Sequence, residues 1–225
     1  MEVKPIAYIK TDFKEKFGIP RQSGRVKELE GKIIFEKEYS IEEAFRGLEN
    51  YSHIWLIFDF SLSHKEQFSP TVRPPRLGGN KRIGVFASRS PFRPNPIGLS
   101  CVKIKSVEKT KEYGTVITVS GVDLLDGTPI LDIKPYIPYT DCIKDAKGSF
   151  AEDFKNHKLE VLFDEELFKE IAPEKKQVII ECIADDPRPS YQNDKEKIYK
   201  MNFGNLDVHF IIDKSTARII EIIKR

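Results

Sequence analysis

Six cationic side chains, Arg73, Arg76, Lys81, Arg82, Arg89 and Arg93, fall in one stretch, PTVRPPRLGGNKRIGVFASRSPFRPNPIGLS over Pro70–Ser100. Six of the 14 prolines lie between Pro70 and Pro96. From Gln67 to Val107 there are eight cationic residues and no Asp or Glu. Proline fixes φ and glycine opens φ > 0, so this reads as a shaped loop system, not a slack linker. Arginines on a stiff frame are placed to grip an anion or a negatively charged polymer. The net charge of the whole chain is only +2. The positive charge is therefore local, which favours selective binding over a general electrostatic coat.

Four further segments carry groups that do chemistry. Pro20-Arg21-Gln22 is a compact polar turn; read plainly it is an ordinary loop. His64-Lys65 follows an apolar segment at its exit, where an isolated histidine is more often a surface residue than a ligand. Val122-Asp123-Leu124-Leu125-Asp126-Gly127 places two acids three apart before a glycine. That pattern is a capped turn, and the same carboxylates suit the hydroxyls or amino group of a nucleoside or the charge of a sulfonium. Asp185-Asp186-Pro187-Arg188-Pro189-Ser190-Tyr191 stops a helix and also offers acids, an arginine and an aromatic that can stack on an RNA base. No GxGxxG follows the first strand, and GxxxxGK[ST], GxSxG and HExxH do not occur. Cys101, Cys142 and Cys182 form no CxxC pair and the four histidines are scattered, so neither a disulfide framework nor a metal site is expected.

The elements that position these groups are mostly strands. Val3–Ile9, Lys32–Glu38, His53–Phe60, Ile83–Phe86, Leu99–Val107, Gly114–Val122 and Pro129–Pro135 alternate or run apolar between turn signals. Thr11–Gly24 reads as a polar loop and HIWLIFDF as a central strand. Ser40 with Glu43 reads as a capping box opening a short helix, Ile41–Leu48. Short serial strands without strand–helix alternation predict a mainly β fold, an N-terminal β-barrel over residues 1–143. A polar linker, 144–158, leads to a small α+β domain, 159–225, with a strand at Leu159–Phe163, helices at Glu165–Ile171 and Glu174–Ala184, and a sheet built from Met201–Phe203, Leu206–Ile212 and Arg218–Ile223. No run approaches the roughly 18 apolar residues of a membrane span, and the charged N-terminus has no signal-like segment. A cytoplasmic protein with no membrane partner is the expectation.

Taken in order, RVKELEGKI, AFRGLENYSHIWLIF, TVRPPRLGGNKRIGVFASRSPFRPNPIGLS, GVDLLDGTPILDIKPYIPY and DPRPSY resemble the TsaA-like (TrmO) family of tRNA adenine-N6-methyltransferases. The resemblance covers Val3–Asp141 and extends through DPRPSY. It implies a β-barrel methyltransferase that binds S-adenosylmethionine without a Rossmann fold, usually as a homodimer. It also implies methylation of N6 of threonylcarbamoyl-adenosine at tRNA position 37, within the anticodon stem-loop. By motif, cofactor contacts fall on Pro20, Arg21, Gln22, His64, Lys65, Arg89, Leu99, Asp123, Leu124, Leu125 and Asp126. Substrate contacts fall on Lys81, Arg82, Arg93, Asn95 and Arg188, with Pro96 shaping the loop. The nucleophilic nitrogen is delocalised and needs a proton acceptor, and Asp186 and Tyr191 are the candidates. Two other readings stand beside this one. A noncatalytic RNA-binding barrel would use the basic loop alone, and a methyltransferase of the same kind would act on another acceptor.

Overall fold

The computed structural model describes residues 2–192 and 194–225; Met1 and Asn193 lie outside the described residues. Among the described residues twelve strands occur in chain order: β1 Ala7–Thr11, β2 Glu30–Phe35, β3 His53–Asp59, β4 Thr71–Val72, β5 Ile83–Gly84, β6 Ile97–Thr110, β7 Gly114–Ser120, β8 Thr128–Pro135, β9 Glu160–Leu162, β10 Tyr199–Phe203, β11 Leu206–Asp213 and β12 Thr216–Lys224. The one-turn α1 spans Pro138–Asp141 and α2 spans Pro173–Ala184.

Six strands close into an antiparallel barrel in the order β1-β2-β7-β6-β3-β8. Alternation drives the closure, because successive side chains on a strand point to opposite faces. On β1, Ala7, Ile9 and Thr11 are buried while Tyr8 and Lys10 are exposed. On β3, Ile54, Leu56 and Phe58 point inward to meet Ile9, Ile33, Ile117, Val119 and Ile130. Burying each such side chain is worth about 1.5–3 kcal/mol over leaving it exposed. HIWLIFDF is not central in the sense of an open sheet, since a closed barrel has no edge strands; β3 simply lies between β6 and β8. Its pairing with β8 slips between Ile57 and Phe58. Such a bulge bends a strand and re-aims the side chains after it, and Phe58 and Asp59 follow it.

The second sheet has the order β10-β11-β12-β9, with β9 parallel to β12 and the other pairs antiparallel. Helix α2 buries Val178, Ile179, Cys182 and Ile183. The turn at Gly204-Asn205 joins β10 to β11 as expected from sequence.

Four local expectations are corrected. The capping box does not form: Ile41 precedes a 3-10 turn, Glu42–Phe45, with no side-chain cap, and Ser40 Oγ accepts the Thr115 N–H at 2.8 Å. A tertiary acceptor role for Ser40 displaces the local one. Ile83–Phe86 is no barrel strand; Ile83–Gly84 pairs with β4 as a separate ribbon. Glu165–Phe168 is a 3-10 turn capped by Asp164, shorter than the helix expected there. The supposedly polar Thr11–Gly24 segment is anchored by aromatics. Phe13 is fully buried with its ring 5.3 Å from Phe203, and Phe17 stacks on Tyr199 and Phe210 at 5.9 and 6.2 Å. Gly18 permits this approach, since a Cβ there would lie 2.5 Å from Met201. The buried side chains of barrel and second sheet thus form one apolar cluster.

Candidate cofactor cleft and basic strap

The cleft opens at the barrel rim where β3 ends. It has a volume of about 160 Å³, walled by Phe58, Phe60, Leu124 and Leu125, with Asp59, Pro91, Lys16 and Asp123 among its polar and loop edges. The size suits part of a nucleoside-sized ligand rather than all of it, because complete ligand pockets run about 300–1,000 Å³.

Asp123 is its chemical centre. Ser100 Oγ donates to Asp123 Oδ1 at 2.6 Å, and the backbone N–H groups of Ser23 and of Asp123 itself also point at the carboxylate. Burial dominates even so, and lifts the carboxyl from 3.8 to about 6. Arg89 lies close enough to pull the other way. The Arg89 guanidinium donates from Nη1 to Gln22 Oε1. Gln22, Arg89, Asp123 and Ser100 therefore converge from three segments far apart in the chain. An acceptor, a fixed cation and an adjoining apolar wall fit a zwitterionic nucleoside with a sulfonium centre, which is the chemistry of S-adenosylmethionine.

The other cofactor candidates divide. Leu124 and Leu125 line the cleft directly, and Pro20 is buried next to the Arg21 turn. His64 lies outside the cleft lining, but its Nε2 is 2.7 Å from Oδ1 of Asp59, which does line it. Lys65 sits over the Phe92 ring, 4.2 Å from its centroid. Asp126 faces away from these groups: it accepts the Thr11 N–H at 3.0 Å and pairs with Lys14. That is the turn-capping role its sequence context also offered. Leu99 points outward from β6, opposite Ile57, and is 52% exposed.

The basic loop is a strap rather than a plain coil. Lys81 and Arg82 are exposed beside the β4–β5 ribbon, with Arg82 Nη1 3.2 Å from Thr71 Oγ1. Arg93 braces its own loop through the carbonyls of Ser88 and Ser90 at 3.0 and 3.4 Å. Asn95 is exposed and its carbonyl accepts the Ile97 N–H, while the Pro96 carbonyl accepts that of Phe60. The strap meets DPRPSY. Ser190 Oγ donates to the Pro75 carbonyl and accepts the Gly78 N–H at 3.1 Å. Tyr191, 60% exposed, lies on Gly79, where a Cβ would come within 2.8 Å of the ring.

Asp186 is placed differently from Tyr191. It is 5% exposed, adopts a left-handed φ of 55°, and bonds to Arg188 Nε at 3.0 Å and to His157 Nε2 at 2.9 Å. Arg188 also donates to the Lys214 carbonyl. Sequence reasoning passed over Ser100, Ser23 and Asp59. A serine directly after an exposed Leu99 gives no local signal, since its partner Asp123 comes from the loop that follows β7.

Among the described residues no group of three or more His, Cys, Asp or Glu is arranged to hold a metal ion, and no helix is long and apolar enough to cross a membrane.

A closed antiparallel barrel with a cleft that fits part of a nucleoside-sized ligand, beside an arginine-rich strap, sets the class as a β-barrel protein without a Rossmann sheet whose strap suits a polyanion. Comparison with known proteins makes the class specific. Residues 8–142 match the family model described as tRNA-methyltransferase O N-terminal domain, and residues 156–225 match the TrmO C-terminal domain. The chain belongs to the tRNA-methyltransferase O family. It is 42% identical over 201 residues to the tRNA (adenine(37)-N6)-methyltransferase of Escherichia coli (strain K12), covering 87% of this chain and 85% of the relative. It is 39% identical over 216 residues to a putative S-adenosylmethionine-dependent methyltransferase of Pseudomonas aeruginosa, covering 92% and 91%. The crystal structure of TrmO from P. aeruginosa superposes with a TM-score of 0.80 at 33% identity, covering 100% of this chain and 97% of that one.

Proposed function

We propose that this protein is an S-adenosylmethionine-dependent tRNA methyltransferase that methylates N6 of threonylcarbamoyl-adenosine at position 37. The observation that carries the reading is the Asp123 carboxylate set beside the Arg89–Gln22 pair at the mouth of an apolar cleft. A noncatalytic RNA binder has no use for that pairing. Family membership and the names of its relatives support the same chemistry. Two domains, residues 1–143 and 159–225 joined by 144–158, complete the proposal.

When bound, S-adenosylmethionine supplies the activated methyl group. The chain's own residues then have three tasks. Asp123 and Ser100 accept and orient hydroxyl or amino groups, while Arg89, held by Gln22, faces a carboxylate. Phe58, Phe60, Leu124 and Leu125 exclude water from the cleft. The strap and Tyr191 align the acceptor base, because an in-line displacement depends above all on positioning. The acceptor nitrogen must also lose a proton. Tyr191 is the accessible candidate for that role. Asp186 is turned inward onto Arg188 and His157, and we assign it to holding the DPRPSY turn.

Large apolar side chains on the segments from the end of β3 to the start of β6 are left in solvent: Leu62, Phe68, Phe86, Ile97 and Leu99 are 47–75% exposed. They support pairing of two copies as a homodimer. A tRNA substrate supports a cytoplasmic site of action. The direct test is transfer of labelled methyl to tRNA carrying threonylcarbamoyl-adenosine, run beside tRNA lacking it. Label in the first alone is expected; label in both, or in neither, refutes the assigned acceptor.

The strap makes a separate prediction. Each phosphate neutralised by a lysine or arginine contributes about −0.7 to −0.9 to the slope of log affinity against log salt. Replacing Lys81 and Arg82 together with alanine should flatten the slope for tRNA by roughly 1.4–1.8. Fluorescence anisotropy across a salt series measures this, and an unchanged slope places both residues away from phosphate.

A further inference from the structure

Segment Arg21–Arg25 has two faces. On one, Gln22 receives Arg89, the Ser23 N–H points at Asp123, and the Gly24 N–H donates to the Gly121 carbonyl at 2.8 Å. On the other, it is fastened to the end of α2. Arg25 Nε pairs with Asp185 Oδ1, and the Arg21 N–H faces Asp185 Oδ2 at 3.5 Å. Arg21 Nη2 donates to the carbonyls of Arg188 and Pro187 at 2.9 and 3.3 Å. Arg25 completes the attachment through the carbonyls of Lys155 and His157 at 3.1 and 3.2 Å. The basic strap reaches the same point, for Arg76 Nη2 donates to the Asp185 carbonyl at 2.8 Å.

Asp185 is 4% exposed and cannot be replaced by its neighbour, whose carboxylate is committed to Arg188 and His157. Four arginines, Arg21, Arg25, Arg76 and Arg188, thus surround two carboxylates. Burial, and for Arg21 the proximity of Arg76, already disfavour the charge on the Arg21 and Arg76 guanidinium groups. Such a cluster is sensitive to the loss of either acid, since cations left unpaired in a buried site push apart or move to solvent.

We infer that Asp185 is a positioning residue that ties the cofactor-facing segment Arg21–Arg25 to the tRNA-facing strap at Arg76, so that the two ligands bind cooperatively. It touches neither ligand and acts through Arg25, Arg21 and Arg76. The inference rests on the proposed cofactor site at Asp123 and Arg89. Cooperativity follows because ordering either segment on its ligand also fixes Asp185, which lowers the cost of ordering the other.

The test compares wild type with Asp185→Asn and Arg76→Met by calorimetric titration. The probes are S-adenosylhomocysteine, which cannot transfer a methyl group, and tRNA carrying threonylcarbamoyl-adenosine. Wild type should bind tRNA about fivefold or more tighter when the cofactor site is saturated, the lower end of typical couplings. Asp185→Asn should weaken cofactor binding roughly tenfold, as a lost charge-assisted contact does, and bring the coupling factor near one. Arg76→Met should leave cofactor affinity within about twofold and still abolish the coupling, which also covers the case in which Asp185→Asn does not fold. A lower melting temperature with unchanged cofactor affinity and coupling would overturn the inference and leave Asp185 a stabilising residue only. Absence of cofactor binding by wild type would refute the proposed function itself, and the inference with it.

Discussion

Asp123→Asn is expected to give a protein that melts higher and binds its cofactor less well. Burial lifts the Asp123 carboxyl from 3.8 to about 6 despite the Ser100 hydrogen bond and nearby Arg89. A group whose folded value is raised contributes stability that is complete below its unfolded value, near pH 4. That contribution is lost as pH rises through about 6. At neutral pH the ionised side chain therefore opposes folding by roughly 2–3 kcal/mol. Asparagine keeps an oxygen for Ser100 without the charge. A gain of about 1–2 kcal/mol, or roughly 2–8 °C for a chain of this size, should follow. The same change removes a charged acceptor, so cofactor affinity should fall about ten- to a hundredfold. Wild-type affinity should also rise with pH through about 6 and flatten above it, while that of the variant stays level. Melting curves and titrations between pH 5 and 8 check both halves. Equal affinities would move the cofactor away from Asp123. The opposition of stability to binding is what a site tuned for a ligand predicts.

Gly98→Ala should be the most damaging single methyl on the barrel wall. Gly98 on β6 pairs with Phe58 on β3, and a Cβ at position 98 would lie 2.2 Å from the ring carbons of Phe58. No rotamer of alanine relieves this, so the aromatic ring must move. Phe58 is 4% exposed and also walls the cleft, so it is displaced either into the core or into the ligand space. Overpacking of this kind costs about 1–3 kcal/mol. Chemical denaturation should show that loss together with weaker cofactor binding, and adding Phe58→Leu should recover stability. A change under about 0.5 kcal/mol would mean that the strands part locally without strain.

The barrel was largely readable from the chain because β1, β3 and β7 alternate or run apolar at strand period, and local pattern and burial agree there. Where they diverge, tertiary partners decide. Ser40 and Glu43 have the spacing of a capping box, yet Ser40 is claimed by Thr115, 75 residues away. Phe13 and Phe17 sit among lysines and glutamates, and only their partners Phe203, Tyr199 and Phe210 reveal them as core. Within the candidate site, Asp123 and Asp126 are equivalent on paper. The fold separates them, burying one beside Ser100 and pairing the other with Lys14. The DPRPSY segment was legible as a helix stop and as an aromatic-bearing turn. The fastening of this segment to Arg21, and of Asp185 just before it to Arg25 and Arg76, was not, since no pattern in one short segment encodes a partner 109–167 residues distant.

The fastening of Arg25 to Asp185 also has a consequence for biosynthesis. The two residues are separated by 160 positions. At about 5–20 residues per second, a ribosome adds Asp185 roughly 8–30 s after Arg25. Every strand of the barrel is complete before the acid that holds its rim loop has been made. A nascent chain stalled before Asp185 has all six barrel strands but still lacks the acid that pairs with Arg25.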